Sequence, residues 1–258
     1  MNDTERVTTG VPGLDAMLNG GFLRRSANLV EGAPGSGKST LGMQFICEGA
    51  RNGEPGIILT FEEFPEHYYR DAAAFGWNLR ELERQNLLKV IMSSPEVTKA
   101  DFENVGGTIQ NLINTIGAQR ILIDSITHFE GLRQDPVELR KLMYSFLNAL
   151  KRQELTTVLT RESAHIFGTG AEHHQTDAGI QFLVDSYLML RYVEIESAIQ
   201  RAIVVLKMRG SAHENTIRQY EIDAHGMKVL KPFEGQEGLL SGTPKRMADS
   251  FMKAFVKR

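Results

Sequence analysis

The sequence predicts an α/β fold: a mostly parallel central sheet flanked by helices, with an antiparallel extension toward the C-terminus. Three observations lead there. Short, branched apolar runs without polar alternation recur through the first 160 residues, as strands buried on both faces require. Amphipathic stretches separate them, an alternation that implies right-handed crossovers between parallel strands. Beyond residue 180 the helical stretches stop and strand-like runs follow one another, the pattern of antiparallel hairpins.

Taken in order, "GLDAMLNGG" reads as a short helix closed by Gly20 and Gly21, packing the N-terminal segment against the sheet. "SANLVE" (26–31) is the first long strand, followed by a helix from Leu41 to Asn52. "GIILTF" (56–61) leads into a helix from Glu66 to Phe75, and "AFGWNL" closes that helix with Trp77 packed at the surface. "LLKVIM" (87–92) precedes a helix from Phe102 to Ile116, and "RILIDS" (120–125) precedes one from Val137 to Gln153. Asp135-Pro136 opens the latter, since proline at the first helical position removes no hydrogen bond. "TTVLT" (156–160) is the last run of this type.

"FLVDSYLMLRYVEI", "QRAIVVLKMRG" and "TIRQYEIDAHGMKVLK" then extend one edge of the sheet as antiparallel hairpins. The end of the chain, Thr243 to Arg258, reads as a short helix with Met247, Phe251 and Phe255 on one stripe beside Lys245, Arg246, Lys253, Lys257 and Arg258. One domain over 1–242 and a basic amphipathic tail over 243–258 are expected, the length of 258 residues and 41% hydrophobic content sufficing for one large core.

Bulk properties narrow the function. A net charge of −3 gives no general basic field for nucleic acid. The single cysteine, Cys47, forms no disulfide within the chain and no zinc knuckle, which fits a reducing cytoplasm. The polar "MNDTERVTTG" start and the lack of a run of about 18 apolar residues argue against a signal peptide and a membrane span.

"EGAPGSGKST", Glu31 to Thr40, carries the chemistry. Gly32, Gly37, Lys38 and Ser39 match G-x-x-x-x-G-K-[ST] between a strand and a helix, the context in which a loop wraps a phosphate with its own N–H groups. Ala33, Pro34, Gly35 and Ser36 complete the loop and Thr40 follows it. Lys38 would reach the β and γ phosphates, Ser39 would hold Mg²⁺, and the helix start directs unpaired N–H groups at the anion. Asp124, at the end of "RILID", would emerge at the C-terminal sheet edge as the second metal anchor. Glu62 and Glu63 leave the neighbouring strand at the same edge. They can orient the attacking water or form a solvated turn, and position alone does not decide between these.

"TTGVPGLDAMLNGGF", the P-loop, "TFEE", "AFGWNL", "RILIDSIT" and "LKMRGSAHENTIRQYEI", in this order and spacing, closely resemble the KaiC-like ATPases of the RecA superfamily over about residues 7–246. The resemblance implies a RecA-like P-loop domain that binds ATP with Mg²⁺ between adjacent subunits, commonly in a homo-hexameric ring. It implies that Glu62 and Glu63 are a catalytic pair, that Asp124 serves the metal, and that Lys207 and Arg209 reach the neighbouring subunit's γ-phosphate. It also places Ser211 and His213 as weaker contacts to the base or phosphates. In "VVLKMRG" the alternation puts Lys207 and Arg209 on one strand face, although such a pair also suits a charged edge strand that resists aggregation.

Two departures limit the resemblance. Clock members of the family carry two such domains in tandem, and this sequence carries one. Where one of those domains has adjacent Ser and Thr phosphoacceptors, this chain has Gln181 and Phe182, so autokinase activity is not expected.

The function expected is therefore slow ATP hydrolysis whose nucleotide state governs oligomer assembly or a signalling partner. A DNA recombination or repair ATPase is the alternative, using the loop "SAHIFGTGAEHHQTDAG" (163–179). That loop has no Lys or Arg for phosphate contacts, which disfavours DNA. His165, His173 and His174 lack i, i+4 ligand spacing and read as a solvated loop rather than a metal site. A non-hydrolysing nucleotide switch is a third class, against which the two glutamates argue.

Overall fold

A computed structural model describes residues 5–103, 106–133, 135–163, 179–234, 236–239 and 245–246. β1 (Arg6–Val7) and β2 (Phe22–Leu23) pair antiparallel around α1 (Leu14–Met17). There follow β3 (Ala27–Gly32), α2 (Lys38–Arg51), β4 (Gly56–Thr60), α3 (Pro65–Ala74), α4 (Leu79–Arg84) and β5 (Leu88–Met92). Next come α5 (Pro95–Glu103), α6 (Thr108–Ile116), β6 (Arg120–Asp124), a 3-10 segment (Ile126–Leu132), α7 (Pro136–Arg152) and β7 (Thr156–Glu162). After a short 3-10 turn (Ile180–Phe182) the chain runs through β8 (Ser186–Ile195), β9 (Ala198–Met208), β10 (Arg218–Asp223), β11 (Gly226–Pro232), β12 (Gln236–Glu237) and β13 (Lys245–Arg246).

Nine strands form one sheet in the order β11-β10-β9-β8-β3-β7-β6-β4-β5. From β8 to β5 the pairing is parallel, and β9, β10 and β11 continue it antiparallel. Alternate residues of each central strand enter opposite cores. Val30, Ile58, Leu122 and Val158 pack with Leu41, Phe45 and Ile46 of α2 on one face. Leu29, Ile57, Leu59, Ile121, Ile123 and Leu159 pack with Met143, Phe146 and Leu150 of α7 on the other. Burial on both faces is why these strands show no polar alternation.

The predicted α/β alternation and the antiparallel edge are present, with local differences. The stretch from Phe102 to Ile116 is two helices, because Gly106 takes φ +82° and the Asp101 side chain accepts the Ile109 N–H at 2.7 Å. A carboxylate from α5 thus satisfies the start of α6. Trp77 is buried, not at the surface: its ring lies 4.9 Å from that of Phe75 and fills the space beside Gly226. The run containing β8 pairs parallel with β3, and the antiparallel set begins only at β9. In the tail expected to be helical, Lys245–Arg246 pairs as a strand with Gln236–Glu237, and the rest of 243–258 lies outside the described residues. Among the described residues no helix is long and apolar enough to cross a membrane.

Candidate functional site

β3 ends at Gly32 and α2 begins at Lys38, so the glycine-rich stretch is the loop between them. Its glycines are required by space. A Cβ on Gly32 would lie 2.5 Å from Ser36 Oγ, and one on Gly37, at φ +91°, would lie 2.4 Å from Ile222 Cδ1. The loop is held from outside by the C-terminal strands: the Tyr220 hydroxyl donates to the Ser36 carbonyl at 2.6 Å and the Tyr192 hydroxyl to the Pro34 carbonyl at 3.4 Å.

Two features of this loop suit an anion. The N-terminus of α2 has no side-chain cap, leaving first-turn N–H groups to point into the loop. Ser36 Oγ is buried without a hydrogen-bond partner. Lys38 is buried, and its Nζ donates to the Ala33 carbonyl at 3.1 Å. Burial lowers its pKa below that of an ordinary lysine, while the carboxylates of Glu162, Asp124 and Glu31 pull the other way. Ser39 and Thr40 are half-buried in the first turn of α2.

Asp124 closes β6, the strand on the far side of β7 from β3. Its carboxylate is buried and engaged at both oxygens: Tyr68 donates to Oδ2 at 2.7 Å and Thr160 donates to Oδ1. In register, Thr60 of β4 lies opposite Asp124, so Glu62 and Glu63 leave the sheet beside it. The Thr60 hydroxyl braces that turn, within hydrogen-bonding distance of both the N–H and the carbonyl of Glu63. Glu62 is exposed, with Oε2 3.5 Å from His128 Nε2. The fold therefore brings the P-loop, Asp124, Glu62 and Glu63 to one edge of the sheet.

Lys207, Arg209, Ser211 and His213 are placed elsewhere. Lys207 pairs with Tyr187, and Tyr187 with Leu29, near the start of β3. The Arg209 N–H donates to the Asp185 carbonyl, and the Asp185 N–H to that of Ala27. Arg209 is thus level with the first residue of β3, about 17 Å along the strand from Gly32 at ~3.3 Å per residue. Lys207 Nζ donates to the carbonyls of Gln181, Phe182 and Val184, and burial followed by the charge of Arg209 lowers its pKa. Ser211 accepts a bond from Arg6 at 2.6 Å, on the same side as the β1–β2 ribbon. His213 lies between Ser211 and Glu214, whose N–H bonds the Met17 carbonyl.

Tyr68, Thr160, Glu162, His128 and Tyr220 were not singled out by sequence. Thr160 and Glu162 follow an apolar strand run, the same signal that marked Asp124. Tyr68 and Tyr220 carry no such signal, because helix rotation and hairpin packing set their directions. The loop 163–179, apart from its end residues, lies outside the described residues. A surface cavity of about 470 Å³ against α3 and α4, lined by Tyr69, Arg70, Trp77 and Arg80 among others, is separate from the P-loop.

A phosphate-wrapping loop between the first long strand and its helix, set in a mostly parallel sheet with an antiparallel wing, defines a P-loop nucleotide-binding protein of RecA-like architecture. Residues 7–234 match the family model described as "ATPase: KaiC", and the chain belongs to the KaiC ATPase family. It is 36% identical to circadian clock protein KaiC3 of Synechocystis sp. over 95% of this chain and 47% of that protein. To the circadian clock oscillator protein KaiC of Acaryochloris marina it is also 36% identical, over 94% of this chain and 45% of that protein. The UPF0273 protein MK0039 of Methanopyrus kandleri is 34% identical over 87% of this chain and 92% of its own length. The chain thus spans about half the length of the clock relatives and nearly all of MK0039.

Proposed function

We propose that this protein hydrolyses ATP with Mg²⁺ in a site shared between adjacent copies of the chain, and that nucleotide state sets their assembly or exposes a surface to a signalling partner. The observation carrying this reading is the separation of Lys207 and Arg209 from the P-loop of their own chain. Phosphoryl transfer concentrates negative charge on the γ-phosphoryl oxygens, and fixed cations there lower the barrier. Within one chain Lys38 would supply one such cation, and the paired cations at the opposite sheet edge would serve a neighbour. A closed ring suits this head-to-tail use of two different surfaces. Six copies is the number that the family resemblance suggests.

Mg²⁺ held at this site would supply positive charge against the phosphates. Ser39 and Asp124 offer the hard oxygen donors it prefers. Among the described residues no group of three or more His, Cys, Asp or Glu side chains is placed to hold a metal. Glu62 or Glu63 would orient the attacking water and accept its proton. The His128 ring lies 3.5 Å from Glu62, and the Thr60 hydroxyl holds the backbone of Glu63.

A subunit-mixing experiment tests the shared site. Lys38→Ala and Arg209→Ala proteins are each expected to be inactive, and their mixture to recover part of the wild-type phosphate release. No recovery from subunits shown to mix would defeat sharing.

A further inference from the structure

The metal aspartate has an unusual pair of supports. Tyr68 and Thr160 are buried, and each donates a hydroxyl to one of the two Asp124 oxygens. Thr160 comes from β7, the strand beside Asp124, and so belongs to the rigid sheet. Tyr68 comes from α3, which starts two residues after Glu63. The same turn is braced by the Thr60 hydroxyl, which meets both backbone groups of Glu63. The glutamate turn and the Asp124 support are therefore joined through the first turn of one helix, α3.

We propose that Tyr68, with Thr160 as its partner, is a positioning residue that fixes the Asp124 carboxylate for Mg²⁺ and ties metal loading to the placement of Glu62 and Glu63. This rests on the ATPase reading above. Each donor occupies one lone pair on its oxygen and stops carboxylate rotation, leaving the remaining lone pairs in a set direction. Supporting bonds of this kind typically alter metal affinity or activity about 10-fold to 100-fold when removed. A purely structural role would instead make Tyr68 a filler of the core containing Ala72, Trp77 and Leu122, its hydroxyl only satisfying a buried acid.

Tyr68→Phe separates the two, because it keeps the ring and removes the donor. The measurement is binding of a fluorescent, non-hydrolysable ATP analogue, titrated with Mg²⁺ and repeated in EDTA. The expected result is a Mg²⁺ half-saturation raised about 10-fold, with metal-free affinity unchanged. Thr160→Val should give the same metal-specific loss, and it carries the test if Tyr68→Phe does not fold. Wild-type Mg²⁺ dependence in the folded variants, or an equal loss with and without Mg²⁺, overturns the proposal. Asp124→Asn is run alongside. If it alters the Mg²⁺ response while Tyr68→Phe and Thr160→Val do not, only the positioning role fails; if it does not, the metal assignment of Asp124 fails with it.

Discussion

Lys207 and Arg209 converge on one atom: the Phe182 carbonyl oxygen accepts from both, at 3.3 and 2.6 Å. Burial strips hydration from Lys207, and the Arg209 charge beside it adds to the lowering of its pKa. Its lowered pKa means that the unfolded chain holds the proton more tightly, so stability rises with pH as pH passes upward through the folded value.

The proposed shared site predicts proton uptake when nucleotide binds. A phosphate approaching Lys207 would raise its pKa again, and the same holds for Lys38, whose pKa is also lowered by burial. In the proposed shared site, ATP binding at alkaline pH, below the ordinary lysine value of about 10.4, is expected to take up protons. Calorimetry in buffers of different ionisation enthalpy measures the uptake, and Lys38→Ala and Lys207→Ala should each diminish it.

Replacing Glu62 and Glu63 by Gln should leave nucleotide binding intact and slow hydrolysis by about 10²- to 10⁴-fold. Shape survives in the amides and basicity does not. Phosphate release beside an ATP-analogue binding curve checks this, and wild-type turnover would remove both residues from catalysis.

Gly37→Ala should abolish nucleotide binding. The new methyl would sit 2.4 Å from Ile222 Cδ1, a side-chain tip that can rotate aside, so the main strain is the φ of +91° in the loop itself. A left-handed backbone costs an L-residue about 1–2 kcal/mol before any clash is counted. Nucleotide titration and thermal melting report the two effects separately.

Arg120→Met should destabilise the fold by about 3 kcal/mol, measured by urea unfolding. Arg120 is 1% exposed, donates to the carbonyls of Thr8 and Phe45, and pairs with Glu54. Burial pushes the Glu54 carboxyl up, but bonds from Arg24 and Arg120 outweigh it and hold the pKa below the usual value of 4.5. Stability from Glu54 is therefore complete above about pH 4.5 and lost as pH falls through the folded value. Glu54→Gln should flatten that acid limb.

Cys47 should be inert to iodoacetamide in the native protein at about pH 8 and react once urea unfolds it. Burial pushes its thiol up to about 12, which keeps the reactive thiolate scarce.

Much of the site was legible because its signals are local. Gly32 to Ser39 identify themselves by spacing, and Asp124 by ending an apolar run that must reach the sheet edge. Contacts made across the sheet were not legible. Tyr68 lies 56 residues from Asp124 and Tyr220 lies 184 from Ser36, and no periodicity links such pairs. Trp77 was misplaced for the same reason: its neighbour Gly226 belongs to a hairpin near the other end of the chain. The break between α5 and α6 depends on Asp101, whose acceptor role appears only when the two helices meet.

The Tyr220–Ser36 bond also bears on how the molecule is made. The glycine loop leaves the ribosome well before the strands that brace it, β10 and β11, since Tyr220 follows Ser36 by 184 residues of chain. A nascent chain stopped before residue 218 would carry a complete glycine motif with its outer wall missing. Competence for nucleotide should therefore arrive abruptly, when the β10–β11 hairpin closes, instead of accumulating as the sheet grows.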